Sequence, residues 1–302
     1  MAGELPRRAV VAGIAATAVV SLADCSDPAT KTPPSETGVP SKQPTIYLPH
    51  GGGPWPWIPT MNASLGPLRA YLEGLARALP EPPAAIVCVT AHWEAPVTTL
   101  STNAAPTMYY DYYGFPSHTY ELVWGAPGAP GVARRVRALL EAAGIKSAED
   151  SARGFDHGTF VPLAVAWPEA QVPTVQMSLV AGLDPTAHLE IGRALAPLRA
   201  EGVLIIGSGM SYHNMRGFGS DRGALDSRSF DAWIGEVVTR DAASRAAALA
   251  RWTEAPAARA SHPREEHLLP LMVAAGAAEG DAATLPFRGD VLGARVSAVH
   301  FG

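Results

Sequence analysis

From Pro44 to the end of the chain, short apolar runs of strand length alternate with stretches in which Leu and Ala recur at helical spacing. A continuous apolar run such as AAIVCVT, residues 84–90, is typical of a strand that is covered on both faces. The pattern predicts strands at 45–48, 84–90, 174–179, 203–206 and 291–299, and helices at 68–79, 131–143, 188–200, 227–252 and 265–278. This alternation favours an α/β fold, a single domain with a mostly parallel central sheet flanked by helices.

The composition excludes several classes of protein. The 302 residues carry a net charge of −5, whereas a nucleic-acid-binding protein normally presents a basic face. Hydrophobic residues make up 47% of the chain and charged residues 17%, so the chain can bury a large core. Two cysteines are too few for a disulfide framework. One of them, Cys88, lies inside a predicted buried strand, and we interpret it as a small core residue.

The first residues are typical of an export signal. Arg7 and Arg8 precede an apolar run at 9–23 and a small-residue exit, so we expect residues 1–25 to be a signal of the twin-arginine or lipoprotein kind. A lipoprotein signal would place a lipid on Cys25, which would then be the only contact with a membrane. Residues 26–43 read as a disordered tether. We therefore expect an exported protein, periplasmic or associated with the cell envelope; the alternative is an apolar N-terminal helix.

Three histidines follow predicted strands directly. His50 follows 45–48, His92 ends the second strand, and His213 follows 203–206 and the segment Gly207-Ser208-Gly209. Ligand sites in open α/β sheets form beyond the carboxyl ends of the strands, so these imidazoles are expected to meet at one edge.

Two further histidines stand beside carboxylates. His267 follows Glu265 and Glu266 in a predicted first helical turn, where the acidic pair would suit the helix dipole. His157 lies in a turn after Asp156, which could either orient the imidazole or cap the following helix. Neutral imidazoles bind Zn²⁺ or Fe²⁺, and a histidine outside the ligand set can serve as a general base.

Six motifs occur in a fixed order along residues 44–302. They are PHGGGP at 49–54, TAHW at 90–93, YYGFP at 112–116, GFDHG at 154–158, GSGMSYHN at 207–214 and EHLLPL at 266–271. Together they resemble the DODA-type branch of the class III, LigB-like, extradiol ring-cleavage dioxygenases. The resemblance implies that residues 44–302 form one LigB-like catalytic domain with a central sheet.

The resemblance also implies roles for individual residues. His50, His92 and His267 correspond to the metal ligands, with Glu266 as the alternative third ligand. His213 corresponds to the acid/base or a fourth ligand, and His157 to a histidine near the substrate. Tyr112 and Phe115 would wall the ring pocket. The cofactor would be one divalent metal, Fe²⁺ or Zn²⁺.

The expected reaction is the opening of a catechol-type, DOPA-like aromatic ring with O₂. A small aromatic diol and O₂ are thus the expected partners, and no nucleic acid is expected. Two alternatives stay open, a zinc-dependent hydrolase and a catalytically silent secreted protein that binds a metal or an aromatic compound. Arg153 and Arg216 could meet a substrate carboxylate or form ordinary ion pairs. No role is assigned to His118, His188, His262 or His300.

Overall fold

Eight strands form one sheet in the computed structural model, which describes residues 42–302. In chain order the strands are β1 (Thr45–Pro49), β2 (Ala85–Ala95), β3 (Thr98–Ser101), β4 (Ser147–Asp150), β5 (Thr174–Val180), β6 (Val203–Gly209), β7 (Ala283–Val291) and β8 (Ala294–Phe301). Across the sheet their order is β4-β3-β5-β2-β6-β1-β8-β7. The four central strands, β5, β2, β6 and β1, are mutually parallel, and β8 and β7 continue the sheet as antiparallel strands.

Helices cover both faces of the sheet. They are α1 (Pro59–Ser64), α2 (Gly66–Ala78), α3 (Pro130–Ala142), α4 (His157–Ala166), α5 (Pro185–Leu195), α6 (Asp221–Val238), α7 (Ala242–Ala250), α8 (Ala258–Ser261) and α9 (Leu269–Ala277). Side chains of a strand alternate between faces. Accordingly Ile46 and Leu48 pack in one apolar cluster with α2 and α4, whereas Tyr47 packs in the other with α3, α5, α6, α7 and α9. The predicted fold class is confirmed.

Helix α9 is buried along its whole length between the sheet and α5. A Cβ at Gly192 of α5 or at Gly276 of α9 would collide with a backbone carbonyl oxygen of the other helix. Both positions therefore need glycine, because only a hydrogen side chain allows the two backbones to approach so closely. This contact fixes α9 against the sheet and, with it, the loop that precedes α9.

Several predicted elements are wrong in their bounds. The predicted helix at 227–252 is two helices, because α6 ends at Val238 and Asp241 caps α7 by accepting hydrogen bonds from the backbone N–H groups of Ala243 and Ser244. The predicted strand at 291–299 is a hairpin, because Leu292 and Gly293 have positive φ angles and form its turn. The predicted helix at 265–278 begins only at Leu269.

The export signal and Cys25 lie outside the described residues, as does most of the tether. The predicted tether ends at residue 43, but the Gln43 side chain is buried and donates to the carbonyl of Glu81, so this residue already belongs to the folded domain. No helix within residues 42–302 combines the length and the hydropathy that a transmembrane segment requires. Cys88 is fully buried in β2, as predicted, and burial raises the pKa of its thiol to about 12.

Asp241→Ala tests the break between α6 and α7. Loss of the cap leaves two backbone N–H groups without their acceptor, and we expect the free energy of unfolding to fall by about 1 kcal/mol. Urea unfolding followed by circular dichroism measures this change. Asp241→Asn is the matched control, because asparagine is also a good N-cap and should retain most of the stability. Equal stability of the alanine variant and the wild type would show that the cap is not needed.

Candidate metal centre

His50 lies directly after β1 and is 1% exposed. Its Nδ1 is 3.2 Å from the Ser208 Oγ, and the Ser208 hydroxyl donates its own proton to the carbonyl of Gly158. Ser208 must therefore accept the hydrogen bond from His50, so the proton of the neutral His50 ring is on Nδ1. The Nε2 lone pair of His50 is free and faces the site.

The turn after His50 holds this histidine in place. Trp55 donates its indole N–H to the carbonyl of His50 at 2.9 Å, and a Cβ at Gly51 would collide with that indole ring. Gly51 also has a φ of +81°, a left-handed conformation that favours glycine. Gly51 thus provides space for this packing.

His92 lies in β2, which runs five residues beyond the predicted end of the strand. The register of β2 against β5 shifts between Val89 and Glu94, and His92 lies in this irregular part. A bulge of this kind re-aims the side chains that it carries. The His92 Nε2 points toward His50, and its Nδ1 faces the carboxylate of Asp111 at 3.4 Å.

His267 lies in the loop before α9, not in a first helical turn as predicted. Its carbonyl oxygen accepts hydrogen bonds from the Tyr47 hydroxyl at 2.8 Å and the Met210 N–H at 3.1 Å. A Cβ at Gly209 would occupy the space of that oxygen, so the glycine at the end of β6 lets the loop approach. The His267 Nδ1 contacts the Glu266 carboxylate at 2.9 Å, and a carboxylate can only accept. The His267 Nε2 lone pair is therefore also free.

The three imidazoles converge. The His92 Nε2 lies 3.2 Å from the Nε2 of His50 and 3.2 Å from that of His267, and the three ligand atoms lie within 4.8 Å of one another. Nitrogen ligands at about 2.0–2.1 Å from a tetrahedral ion are separated by about 3.3–3.4 Å. The observed spacing fits a divalent metal. Burial lowers the pKa of all three imidazoles, that of His92 to about 3, so they are neutral and able to bind a metal at neutral pH.

His213 and Glu266 stand on one side of this group. The ring of His213 stacks on that of His267, with centroids 3.4 Å apart, and its Nδ1 lies 3.4 Å from the Glu266 Oε1. The same carboxylate oxygen contacts the His267 Nδ1. Burial opposes ionisation of Glu266, but its hydrogen bond with His213 and the nearby charges outweigh burial, and its pKa is lowered. In this geometry the Glu266 carboxylate contacts the Nδ1 atoms of both imidazoles, on the side of each ring opposite Nε2.

His157 and Asp111 stand on the other side. His157 is the first residue of α4, and its ring centroid is 3.9 Å from that of His92. The Asp111 Oδ1 accepts from the His157 Nδ1 at 2.8 Å and from its backbone N–H at 3.0 Å. Burial opposes ionisation of Asp111, but these hydrogen bonds and the neighbouring imidazoles outweigh it, and its pKa is lowered. Asp156 caps α4 through the Thr159 N–H, so of its two predicted roles capping is the one observed.

Tyr112 and Phe115 lie together beside His157 and the turn after His50. The Tyr112 ring centroid is 6.0 Å from that of His157 and 5.6 Å from that of Phe115. Phe115 packs against Gly53, where a Cβ would contact its ring edge at 2.8 Å. The Tyr112 hydroxyl donates to the carbonyl of Thr119, so the aromatic loop at 109–121 is stabilised by a hydrogen bond within the loop itself. These two rings are placed to border the site.

The two candidate arginines have different surroundings. Arg153 packs over the rings of Tyr109 and Trp93 and bonds Asp156, so its guanidinium is engaged in structural contacts. Arg216 is exposed and lines a cavity of about 540 Å³ that His213 and Glu266 also line. Only Arg216 is therefore placed for a ligand beside His213.

The four histidines without an assigned role make contacts outside the convergent group. His118 is exposed beside the carbonyl of Trp57. His188 of α5 accepts a hydrogen bond from the Val180 N–H and contacts the carbonyl of Asp184, at the two ends of the loop between β5 and α5. His262 contacts the carbonyl of Ser211, and His300 the hydroxyl of Tyr71. These contacts are those of structural side chains.

Asp111 is the main residue of the site that sequence reasoning missed. It is the single carboxylate within the aromatic run 109–113, Tyr-Tyr-Asp-Tyr-Tyr, directly before the YYGFP motif. An acidic residue flanked by aromatic side chains was the available signal. Ser208 was also missed: the segment Gly207-Ser208-Gly209 belongs to strand β6, and Ser208 orients His50.

Comparisons with known proteins agree with this geometry. The family model described as "Catalytic LigB subunit of aromatic ring-opening dioxygenase" matches residues 49–296. The chain is 36% identical over 281 residues to a protein named dioxygenase tasH of Hapsidospora irregularis, covering 86% of this chain and 85% of that protein. It is 39% identical over 216 residues to a 4,5-DOPA dioxygenase extradiol of Beta vulgaris, covering 70% of this chain and 80% of that one.

Similarity extends to a bacterial enzyme and to a solved structure. A 4,5-DOPA dioxygenase extradiol of Escherichia coli K12 is 31% identical over 259 residues, covering 84% of this chain and 92% of that protein. The crystal structure of an uncharacterized protein, JW3007, from Escherichia coli K12 superposes with a TM-score of 0.70 at 28% identity. The match covers 86% of this chain and all of that one.

His92→Ala tests the convergent group. His92 is the ring whose Nε2 lies next to both of the others, so we expect the variant to lose its bound divalent metal. Elemental analysis after gel filtration in metal-free buffer measures this loss. The exposed His118→Ala is the matched control and should keep a full metal complement. A full complement in His92→Ala would contradict the proposed ligand set.

Proposed function

The chain belongs to the LigB family of aromatic ring-opening dioxygenases, and on this premise we propose its substrate class, its metal ligands and the roles of its site residues. It is an extradiol dioxygenase, an oxidoreductase that uses a metal and opens an aromatic ring with O₂. We propose that the ring is that of a catechol-type, DOPA-like diol. Relatives named 4,5-DOPA dioxygenase extradiol support this proposal.

The observation that carries the proposal is the convergence of three Nε2 lone pairs. His50, His92 and His267 would hold one divalent metal, with Glu266 behind His267 as its hydrogen-bond acceptor. When bound, the metal supplies Lewis acidity that makes the diol hydroxyls easier to ionise and provides open positions for the diol and O₂. We propose Fe²⁺ for this chemistry, although the same imidazoles also suit Zn²⁺.

His213 would take the proton of a substrate hydroxyl. Its Nδ1 faces the Glu266 carboxylate, which favours a proton on Nδ1 and leaves Nε2 as the acceptor. Its ring stacks face to face on that of His267, and both Nδ1 atoms are turned to the same Glu266 oxygen. We assign it the acid/base role and keep His50, His92 and His267 as the ligands. His157 lies on the opposite side and is held by Asp111. Its Nε2 would accept a hydrogen bond from the second hydroxyl of the diol.

The substrate ring would lie against Tyr112 and Phe115. These side chains exclude water from the reacting diol, and Tyr112 itself is 8% exposed. His213 and Arg216 line the same cavity, so the Arg216 guanidinium would meet an acidic side chain of the substrate. Separately, we propose from the sequence of residues 1–25 that this segment exports the protein to the periplasm or the cell envelope.

Metal reconstitution followed by an oxygen-dependent assay tests the proposed function. Metal-free protein is loaded anaerobically with Fe²⁺ or with Zn²⁺, mixed with DOPA, catechol or protocatechuate, and then exposed to air. We expect a yellow ring-opened product only with Fe²⁺ and O₂. Hydrolysis of an ester or amide without O₂ in the Zn²⁺ form would favour a hydrolase, and diol binding without turnover would favour a binding protein.

His213→Ala tests the acid/base role. Removing a general base typically lowers the rate about 10²–10⁴-fold. We expect the variant to bind metal as the wild type does, because its imidazole is outside the convergent group, and to lose turnover by this factor. Stopped-flow absorbance under single-turnover conditions measures the rate, with His118→Ala as the control. Ring opening at the wild-type rate would show that His213 does not transfer the proton.

A further inference from the structure

Asp111 touches two imidazoles that come from different parts of the fold. One is the proposed metal ligand His92 in β2, and the other is His157 at the start of α4. We propose that Asp111 is a positioning residue that holds the proton of both rings on Nδ1, so that one carboxylate orients a metal ligand and the imidazole that faces the second substrate hydroxyl. This inference rests on the metal site of the proposed function.

The contacts divide between the two carboxylate oxygens. Oδ1 accepts two hydrogen bonds from His157, one from its Nδ1 at 2.8 Å and one from its backbone N–H at 3.0 Å. Oδ2 lies 3.4 Å from the Nδ1 of His92. A carboxylate only accepts, so His157 keeps its proton on Nδ1, and the negative charge of Oδ2 favours the same proton position in the neutral His92 ring, which leaves the lone pair on Nε2 in both. For His92 this lone pair points at the Nε2 atoms of His50 and His267.

The position of Asp111 makes this arrangement rigid. The backbone N–H of His157 belongs to the first turn of α4, where N–H groups have no partner within the helix. Asp111 supplies that partner and places a negative charge at the positive end of the helix dipole. Its side chain is 12% exposed, and within residues 42–302 its ion-pair contacts are with these two imidazoles alone.

Glu266 is arranged in a related way, but its surroundings differ. It contacts the Nδ1 atoms of His267 and His213, a second pair made of one proposed ligand and one free imidazole. Glu266 also contacts Arg264, which is bound to Glu94 through two hydrogen bonds. Among residues 42–302 no arginine or lysine forms an ion pair with Asp111, so its replacement changes the two imidazoles directly. Asp111 is therefore the carboxylate at which the inference is tested.

Asp111→Asn keeps the shape of the side chain but replaces one acceptor oxygen by a donor NH₂ group and removes the negative charge. The amide oxygen is expected at the Oδ1 position, where two N–H groups donate, and the amide NH₂ then faces the His92 Nδ1. The NH₂ group is a donor and carries no negative charge, so it favours a proton on the His92 Nε2, where the proton competes with metal binding. The reverse orientation of the amide moves the proton of His157 instead. The loss of an outer hydrogen-bond partner typically weakens metal affinity about 10–100-fold.

The variant is expected to fold, because α4 keeps its own cap at Asp156 and the substitution preserves volume. The matched control is Glu121→Gln, which removes an exposed carboxylate from the same aromatic loop. Zn²⁺ affinity is measured by competition with a chromophoric chelator. The tautomers are measured on metal-free protein at pH 7 by ¹⁵N NMR of labelled histidines, which distinguishes Nδ1–H from Nε2–H.

We expect Asp111→Asn to bind Zn²⁺ about 10–100-fold more weakly and to show one site histidine as Nε2–H, with Glu121→Gln like the wild type. Wild-type affinity together with unchanged tautomers in Asp111→Asn would overturn the inference. Should the variant not fold, the wild-type spectrum alone decides, since an Nε2–H signal from His92 or His157 overturns it. Neither readout needs turnover, so a wild type that binds Zn²⁺ as expected but opens no diol refutes the proposed substrate class and leaves the inference standing.

Discussion

The convergence of three imidazole lone pairs, with the His92 Nε2 3.2 Å from the Nε2 atoms of both His50 and His267, is the constraint on which the rest of the site depends. Each ring can relieve the repulsion only by placing a proton on Nε2, and the surroundings act against this. Ser208 and Glu266 accept hydrogen bonds from the Nδ1 atoms of His50 and His267, and the Asp111 carboxylate lies 3.4 Å from the Nδ1 of His92. Burial in turn disfavours a second proton on any of the rings. A divalent cation at the centre satisfies all three lone pairs at once.

The fold brings these rings together by ending parallel strands at one edge of the sheet. His50 follows β1 directly, and β6, which pairs with β1, contributes Ser208. The third ring depends on close backbone contacts, because Gly209 leaves room for the carbonyl of His267 and Gly207 leaves room for that of Pro270. The buried helix α9 then holds this loop against the sheet. The glycines of the GSG segment are thus explained by packing against the loop that carries His267.

The central strands and the position of the site could be predicted from the sequence because both depend on local patterns of residues. Apolar runs identified the central strands, and histidines at strand ends indicated the edge where they meet. The boundaries that failed depend on single capping or turn residues within otherwise continuous patterns, Asp241 between α6 and α7 and Gly293 between β7 and β8. Asp111 could not be assigned, because its role arises from an irregular loop that folds back onto α4, a contact between residues 46 positions apart. Helix α9 begins later than predicted for a similar reason, because the carbonyl of His267 accepts hydrogen bonds from Tyr47 and Met210, which are distant in the sequence.

X-ray absorption spectroscopy of the metal-loaded protein tests the central claim most directly. With one equivalent of Zn²⁺ or of anaerobic Fe²⁺, the fine structure should show three imidazole nitrogen ligands at about 2.0–2.2 Å, the remaining ligands being oxygen atoms. The imidazole contribution should fall by one ring in the variant that lacks the His267 side chain. A bound ion whose shell contains oxygen atoms alone, or no stoichiometric binding of either metal, would contradict the account.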